Sequence, residues 1–305
     1  MSRRIALLTD STAYLPEEAV DRHRIAVVPL SVVVGDEVLA DGVEISPKDV
    51  AEALRAKQRV TTSRPSPETF AEAYRAAAEA GFEAVVSVHI SAELSGTVEA
   101  ARLAAAEAPL PVEVVDSRLV GMALGHVVLA AAEAIAALGT GASGAAGEAG
   151  VAGVAGASGN VAADLAAVVA AASGRAARTS GFFYVDTLEY LRRGGRIGAA
   201  QALLGSALSV KPLLHLSGGR IEPLEKVRTA SRAIARLEEI AVERAGADEV
   251  DITVHHLAAA DRAEPLAERL RARVPGLREL TVLEVGAVIG AHVGPGLLAV
   301  VVAPR

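Results

Sequence analysis

Short β-branched runs alternate with amphipathic stretches through the first half of the chain. Residues 5–9, 84–90 and 112–115 are apolar runs of strand length, and residues 25–34 are strand-like up to the turn signal Gly35-Asp36. Helices are predicted at 16–21, after Ser46-Pro47-Lys48-Asp49, at 68–80 after Ser66-Pro67, at 97–106, and as a long apolar element at 119–138. Ser46 and Ser66 stand at N-cap positions. The proline after each falls at the first helical position, where its missing N–H does no harm, and Asp49 supplies an acid at N3. Strands alternating with helices in this way predict an α/β domain with a largely parallel, Rossmann-like sheet.

Residues 140–160 break the rhythm. They are nearly all Gly, Ala and Ser, with Glu148 as the single charge. Such a tract buries too little surface to offset its ordering entropy and is read as a Gly/Ala/Ser-rich insert or loop. A helix resumes at 161–177. Beyond it come strands at 182–186 and 249–255, a helical turn at 187–193, and helices at 199–208, 230–245 and 261–274. Residues 210–216 and 220–227 flank Ser217-Gly218-Gly219, a hairpin signal. Strands at 280–285 and 297–302 close the chain. The expected organisation is two α/β domains, 1–160 and 161–305, the second with a mixed sheet flanked by helices.

Composition narrows the function. The chain has 305 residues, 65 of them Ala, and no Cys or Trp, so its core must rest on Leu, Val and Ile. Without Cys there is no disulfide framework, thiolate metal site or Cys nucleophile. A net charge of −7, with no Lys/Arg cluster interleaved with aromatics, argues against nucleic-acid binding. The apolar run after Arg4 ends at Asp10, too short for a signal-peptide core. The longest stretch without a formal charge, 285–304, contains His292 and the breaker Gly294-Pro295-Gly296, so it is read as a pair of buried strands and not as a membrane span. The expectation is a soluble cytoplasmic protein.

Several chemistries lack their motifs. None of the four lysines follows a Gly, which removes the Walker A loop, and no H-E-x-x-H, G-x-S-x-G or strand-borne G-x-G-x-x-G is present. What remains is a repeated device of hydroxyl-rich turns at predicted strand ends: Thr9-Asp10-Ser11-Thr12, Thr61-Thr62-Ser63, Ser91 through Ser95-Gly96-Thr97, and Asp116-Ser117. Ligands of open α/β sheets sit beyond such ends. A helix starting at Thr97 would offer its free N–H groups to an anion, with Gly96 allowing close approach. The plainer role of each turn is to cap the helix that follows. His292, between two apolar segments, is either a hydrogen-bonded core residue or part of a site. Arg192-Arg193-Gly194-Gly195-Arg196 is either a solvated loop or a docking patch for an acidic or phosphorylated partner.

Taken together these residues resemble the DegV family. The opening Thr9-Asp10-Ser11-Thr12-Ala13 with Leu15-Pro16 is similar to its first motif, Thr62-Ser63-Arg64-Pro65-Ser66-Pro67 to its second, and Ile90-Ser91 with Leu94-Ser95-Gly96-Thr97 to its third. Asp186-Thr187-Leu188-Glu189-Tyr190-Leu191 with Gly194-Gly195-Arg196-Ile197, Val210-Lys211-Pro212-Leu213-Leu214, and Gly286 with Ile289-Gly290 and His292-Val293-Gly294-Pro295-Gly296 complete the set in family order. The resemblance implies two α/β domains with one long-chain fatty acid between them. It implies a non-catalytic, lipid-binding subunit of a fatty acid kinase system feeding phospholipid synthesis. Such a subunit presents the carboxylate to a separate ATP-dependent kinase that makes an acyl phosphate.

On that resemblance Thr62, Ser63, Ser95, Gly96, Thr97 and His292 would hold the carboxylate, and Arg193 and Arg196 would dock the kinase. No catalytic residue, metal or cofactor is implied beyond the bound acid, and contact with a membrane would be transient. With aromatics scarce, the acyl tunnel should be walled mostly by Leu, Val, Ile and Ala. Two other readings stand beside this one: a stand-alone enzyme acting on a small phosphorylated or carboxylated metabolite, and a regulatory protein that senses lipid.

Overall fold

The computed structural model describes residues 4–140, 160–203 and 211–305, so all of the Gly/Ala/Ser tract but its two end residues lies outside them. The first half runs β1 (Ile5–Asp10), α1 (Glu17–His23), β2 (Ala26–Val28), β3 (Ser31–Val34), β4 (Glu37–Ala40) and α2 (Pro47–Arg55). It continues with β5 (Val60–Ser63), α3 (Pro67–Glu79), β6 (Ala84–His89), α4 (Thr97–Ala105), β7 (Val112–Asp116) and α5 (Met122–Thr140). The second half runs α6 (Val161–Arg178), β8 (Ser180–Tyr184), α7 (Glu189–Arg193), β9 (Lys211–Ser217), β10 (Arg220–Val227) and α8 (Ala230–Ala245). It ends with β11 (Val250–His256), α9 (Ala260–Arg273), β12 (Leu277–Glu284), α10 (Ala287–Val293) and β13 (Leu298–Pro304).

Three sheets result. The first is parallel, in the order β2-β1-β6-β7. Every residue of β6 is buried, as a strand covered on both faces requires. Phe70, Tyr74, Ala100 and Ala101 from α3 and α4 pack on one face, and Leu124, Val127, Val128 and Ala131 from α5 on the other, with Leu165, Val168 and Ala172 of α6 beside α5 on that same face. The second sheet is mixed, in the order β10-β9-β8-β13-β11-β12; α8 and α9 cover one face. The fold class is therefore the expected α/β arrangement.

Three local expectations are corrected. Residues 25–34 are not one strand: Pro29 cannot donate to a ladder, and the run divides into β2 in the parallel sheet and β3 in a small antiparallel sheet, β4-β3-β5. Thr61-Thr62-Ser63 accordingly belongs to that third sheet and not to an end of the parallel one. Residues 285–304 are not a pair of strands either. Ala287–Val293 forms the helix α10, with Gly286 before it and Gly294 (φ +74°) ending it, and only β13 follows. The hairpin is as read, a two-residue turn with Gly218 and Gly219 both at positive φ. The helix expected at 199–208 appears as a 3-10 turn over Gly198–Leu203, and its remainder lies outside the described residues.

Helix α5 joins the halves. Among the described residues it is the one helix long and apolar enough to cross a membrane, yet its apolar face packs between β1/β6 and β13 as a core element. His255 of β11 accepts a hydrogen bond from the Met122 N–H (3.0 Å) at the start of α5, and His126 of α5 bonds Thr253 of β11 (3.2 Å).

Candidate functional site

Where the three sheets meet, the fold leaves a cavity of about 340 Å³, within the range of small-molecule sites. Its walls are apolar: Phe182 and Phe183 from β8, Ala299 and Val301 from β13, Val288, Ile289 and Val293 from α10, and Leu216 and Ile221 from the β9–β10 hairpin. Two of the chain's four Phe line it, so aromatics contribute more to the wall, and Ala less, than composition suggested. Two polar features interrupt the apolar lining: a cluster of Thr62, Ser63, Arg64, Ser95, Gly96, Arg196 and His292, and apart from it His255, whose ring nitrogens are engaged by the Met122 N–H and the Leu283 carbonyl. Two guanidinium groups and no Asp or Glu are among the lining residues.

Each member is placed by local structure. Thr62 and Ser63 end β5 opposite Val32 and Ser31 of β3. Ser95 follows a tight loop in which the Leu94 and Ser95 N–H groups both donate to the Ser91 carbonyl (3.0 and 3.1 Å). The Ser91 hydroxyl donates in turn to the Gly219 carbonyl of the hairpin (2.8 Å). Gly96 is the N-cap of α4 and supplies no side-chain cap, while the Ser95 and Thr97 hydroxyls bond each other (2.8 Å). Arg196 reaches back to the same loop, donating from Nε to the Leu94 carbonyl (3.0 Å) and from Nη1 to the Gly194 carbonyl (2.6 Å).

His292 sits in the last turn of α10, and the other end of that helix is held by the first half of the chain. The carboxylate of Asp41, only 3% exposed, accepts from the N–H groups of Ala287 (2.9 Å) and Val288 (3.4 Å), and the Tyr14 hydroxyl oxygen accepts from Ile289 N–H (3.2 Å). Three of the free N–H groups of a helix start thereby gain partners. Ser11 donates to the far oxygen of Asp41 (2.8 Å). Burial pushes the Asp41 carboxyl above the usual carboxylate range and the Tyr14 phenol well above its own.

At its working end, His292 Nε2 lies 2.8 Å from Thr62 Oγ1, and its Nδ1 is buried without a hydrogen-bond partner. Burial, reinforced by the charge of Arg196, pushes the imidazole down to about 4. It is therefore neutral at pH 7. With the proton on Nε2 it donates to Thr62, whose own hydrogen is then free for a ligand oxygen. With the proton on Nδ1 it would consume the Thr62 hydrogen and leave a buried donor unpaired. An anion in the cavity thus selects the first arrangement.

Of the six residues expected at the head group, Thr62, Ser63, Ser95, Gly96 and His292 line the cavity; Thr97 lies behind Ser95, fully buried. The basic turn divides. Arg196 lines the cavity, whereas Arg193, 62% exposed, pairs on the surface with Glu189 (2.7 Å), as does Arg192. The other two hydroxyl-rich turns are internal supports. Asp10 accepts from Thr12 N–H, Ile90 N–H and His89, and Ser117 donates to the His89 carbonyl. Sequence reasoning missed the roles of Asp41 and Tyr14. Asp41-Gly42 reads only as a turn, and Tyr14 as one of few aromatics.

The chain is similar to known proteins over nearly its whole length. The family model described as "Uncharacterised protein, DegV family" matches residues 4–143 and 148–305. A DegV domain-containing protein of Streptomyces coelicolor is 61% identical over 100% of both chains. A solved structure described as fatty acid binding of a DegV family protein from Thermus thermophilus superposes with a TM-score of 0.86 at 34% identity, covering 99% of this chain and 100% of that one. DegV from Bacillus subtilis, described as a fatty acid binding protein, gives a TM-score of 0.83 at 31% identity, covering 100% of both chains.

Proposed function

The chain belongs to the DegV family, and from that premise we propose that it binds one long-chain fatty acid in this cavity. It presents the carboxylate to a separate ATP-dependent fatty acid kinase, which forms the acyl phosphate. The observation that carries the reading is the lopsided chemistry of the cavity. Apart from His255, whose ring is bonded within the wall, the apolar space is interrupted by one cluster of hydroxyls, a neutral imidazole and two cations, with no acid in the lining. Such a space suits a molecule that is hydrocarbon along its length and anionic at one end. It suits a small phosphorylated metabolite poorly, because most of the wall would face polar groups with nothing to bond. The fatty-acid-binding relatives from Thermus and Bacillus support the same ligand class.

The head group would accept hydrogen bonds from Thr62, Ser95 and the Gly96 N–H, with His292 orienting Thr62. Neutral donors hold a carboxylate firmly enough to order it and loosely enough to release it. The acyl chain would run along β8 and β13 toward Gly181 and Val301. Gly181 lies near the start of β8, paired with Val301 in the middle of β13, and both are remote from α7, since β8 leads from Gly181 through Tyr184 toward α7. Arg193 would meet the kinase, being exposed and outside the cavity lining.

Mass spectrometry of the purified protein under native conditions should show a co-bound long-chain acid, and added palmitate or oleate should bind after delipidation. A protein that carries no acid and binds neither would refute the reading. With a kinase from the same cell, Arg193→Glu should impair acyl-phosphate formation while palmitate binding persists; loss of binding itself would place Arg193 in the pocket instead.

A further inference from the structure

Arg64 is the one cation at the cavity whose position runs against local electrostatics. Its guanidinium lies on Gly96, where a methyl group would collide with it, 3.4 Å from the Gly96 carbonyl. Gly96 begins α4, so this positive group rests at the positive end of a helix dipole. What holds it is an ion pair with Glu99 (3.1 Å), whose side chains are 47% and 71% exposed. Exposed pairs of this kind contribute little and exchange readily with water. Arg196, by contrast, is tied to the Leu94 and Gly194 carbonyls and is half-buried.

The remaining donors suffice for a single negative charge. Thr62, Ser95 and a neutral His292 can satisfy a carboxylate without a counter-ion. A head group with a second charge and a third oxygen needs something more, and the planar fork of an arginine matches that geometry. An oxyanion projecting between Arg64 and the start of α4 would meet favourable charge from both, and would relieve the opposition between them.

We propose that Arg64 makes the mouth of this cavity a second anion position, which favours amphiphiles with a doubly charged, phosphate-type head group over simple carboxylates. The proposal rests on the reading of the cavity as a fatty acid site. In it Arg64 leaves Glu99 and closes on the head group of an alkyl or acyl phosphate, while a carboxylate sits deeper, on the hydroxyls.

The test is a competition titration of delipidated protein with palmitate and with hexadecyl phosphate. It is run at pH 8, above the second ionisation of a phosphate monoester near 6, on the unmodified protein, R64Q and E99Q. R64Q should lower the preference for the phosphate over palmitate by about tenfold, the loss expected for one charge-assisted hydrogen bond. E99Q, which frees the guanidinium, should raise that preference. An unchanged preference in R64Q overturns the proposal, and so does an equal loss of both ligands. Arg64-dependent binding of hexadecyl phosphate without binding of palmitate would support the proposal and refute the fatty acid reading. An unmodified protein that binds neither ligand overturns both.

Discussion

Ser95 and Gly194 show how much of the site rests on single atoms. The Ser95 hydroxyl faces the cavity and is oriented by Thr97 Oγ1 at 2.8 Å. Ser95→Ala should weaken palmitate binding by about 1–3 kcal/mol, the usual loss when a buried polar group is left unpaired. Thr97→Val, which removes only the orienting partner, should weaken it less; displacement of a fluorescent fatty acid measures both, and an unchanged Ser95→Ala affinity would remove that residue from the site. Gly194 makes the complementary point. Its φ of −75° is open to any residue, so the backbone does not require glycine there. The His292 ring does, because a methyl group on Gly194 would run into Nδ1. Gly194→Ala should displace the imidazole and lower palmitate affinity while leaving the melting temperature nearly unchanged. A large fall in melting temperature without a binding defect would mean that this glycine serves the fold.

At the level of elements, the critical piece is α10, a short helix whose start is anchored by the first half of the chain and whose end carries His292. Asp41→Ala should cost about 0.5–2 kcal/mol of stability, as loss of an N-cap does, and should also weaken palmitate binding by loosening His292. Asp41→Asn keeps an acceptor oxygen and should recover most of both. Denaturant melts paired with ligand titrations test this, and a stability loss with full binding would show that α10 holds its place without the cap. The same helix shows what a sequence reveals and what it withholds. The Ser46 capping box and the Gly218-Gly219 turn were legible because their chemistry is complete within a few residues. Helix α10 was not, since Val285, Ala287, Val288 and Ile289 are apolar without a period, and its cap comes from a residue far away in the chain. Strands β4 and β5 are too short to show alternation. Thr62, Ser95 and His292 were found because their motifs are local, whereas the inward course of Arg196 and its separation from Arg193 depend on how α7 meets the Leu94 loop.

For the molecule as a whole, the seam between the halves is held by buried imidazoles, and this gives it a pH dependence of definite sign. His126 bonds Thr253 from α5 to β11, His255 accepts from Met122 in the reverse direction, and His292 bonds Thr62 from α10 to β5. Burial pushes all three down to about 4, with help from Arg175 at His126 and from Arg196 at His292. An unfolded histidine titrates near 6.5. Below that pH the unfolded chain takes up protons that the folded protein refuses, so stability is fully present above 6.5 and is lost as pH falls toward 4. By pH 5 each imidazole should have withdrawn about 2 kcal/mol, before most carboxylates begin to titrate. Urea unfolding of the delipidated protein at pH 7, 6 and 5 should therefore show a steep decline, and His126→Asn should flatten it by roughly a third of the total. A midpoint that stays constant from pH 7 to 5 would mean that water reaches these rings. The seam would then be a loose contact, not the dry junction on which a cavity for an acyl chain depends.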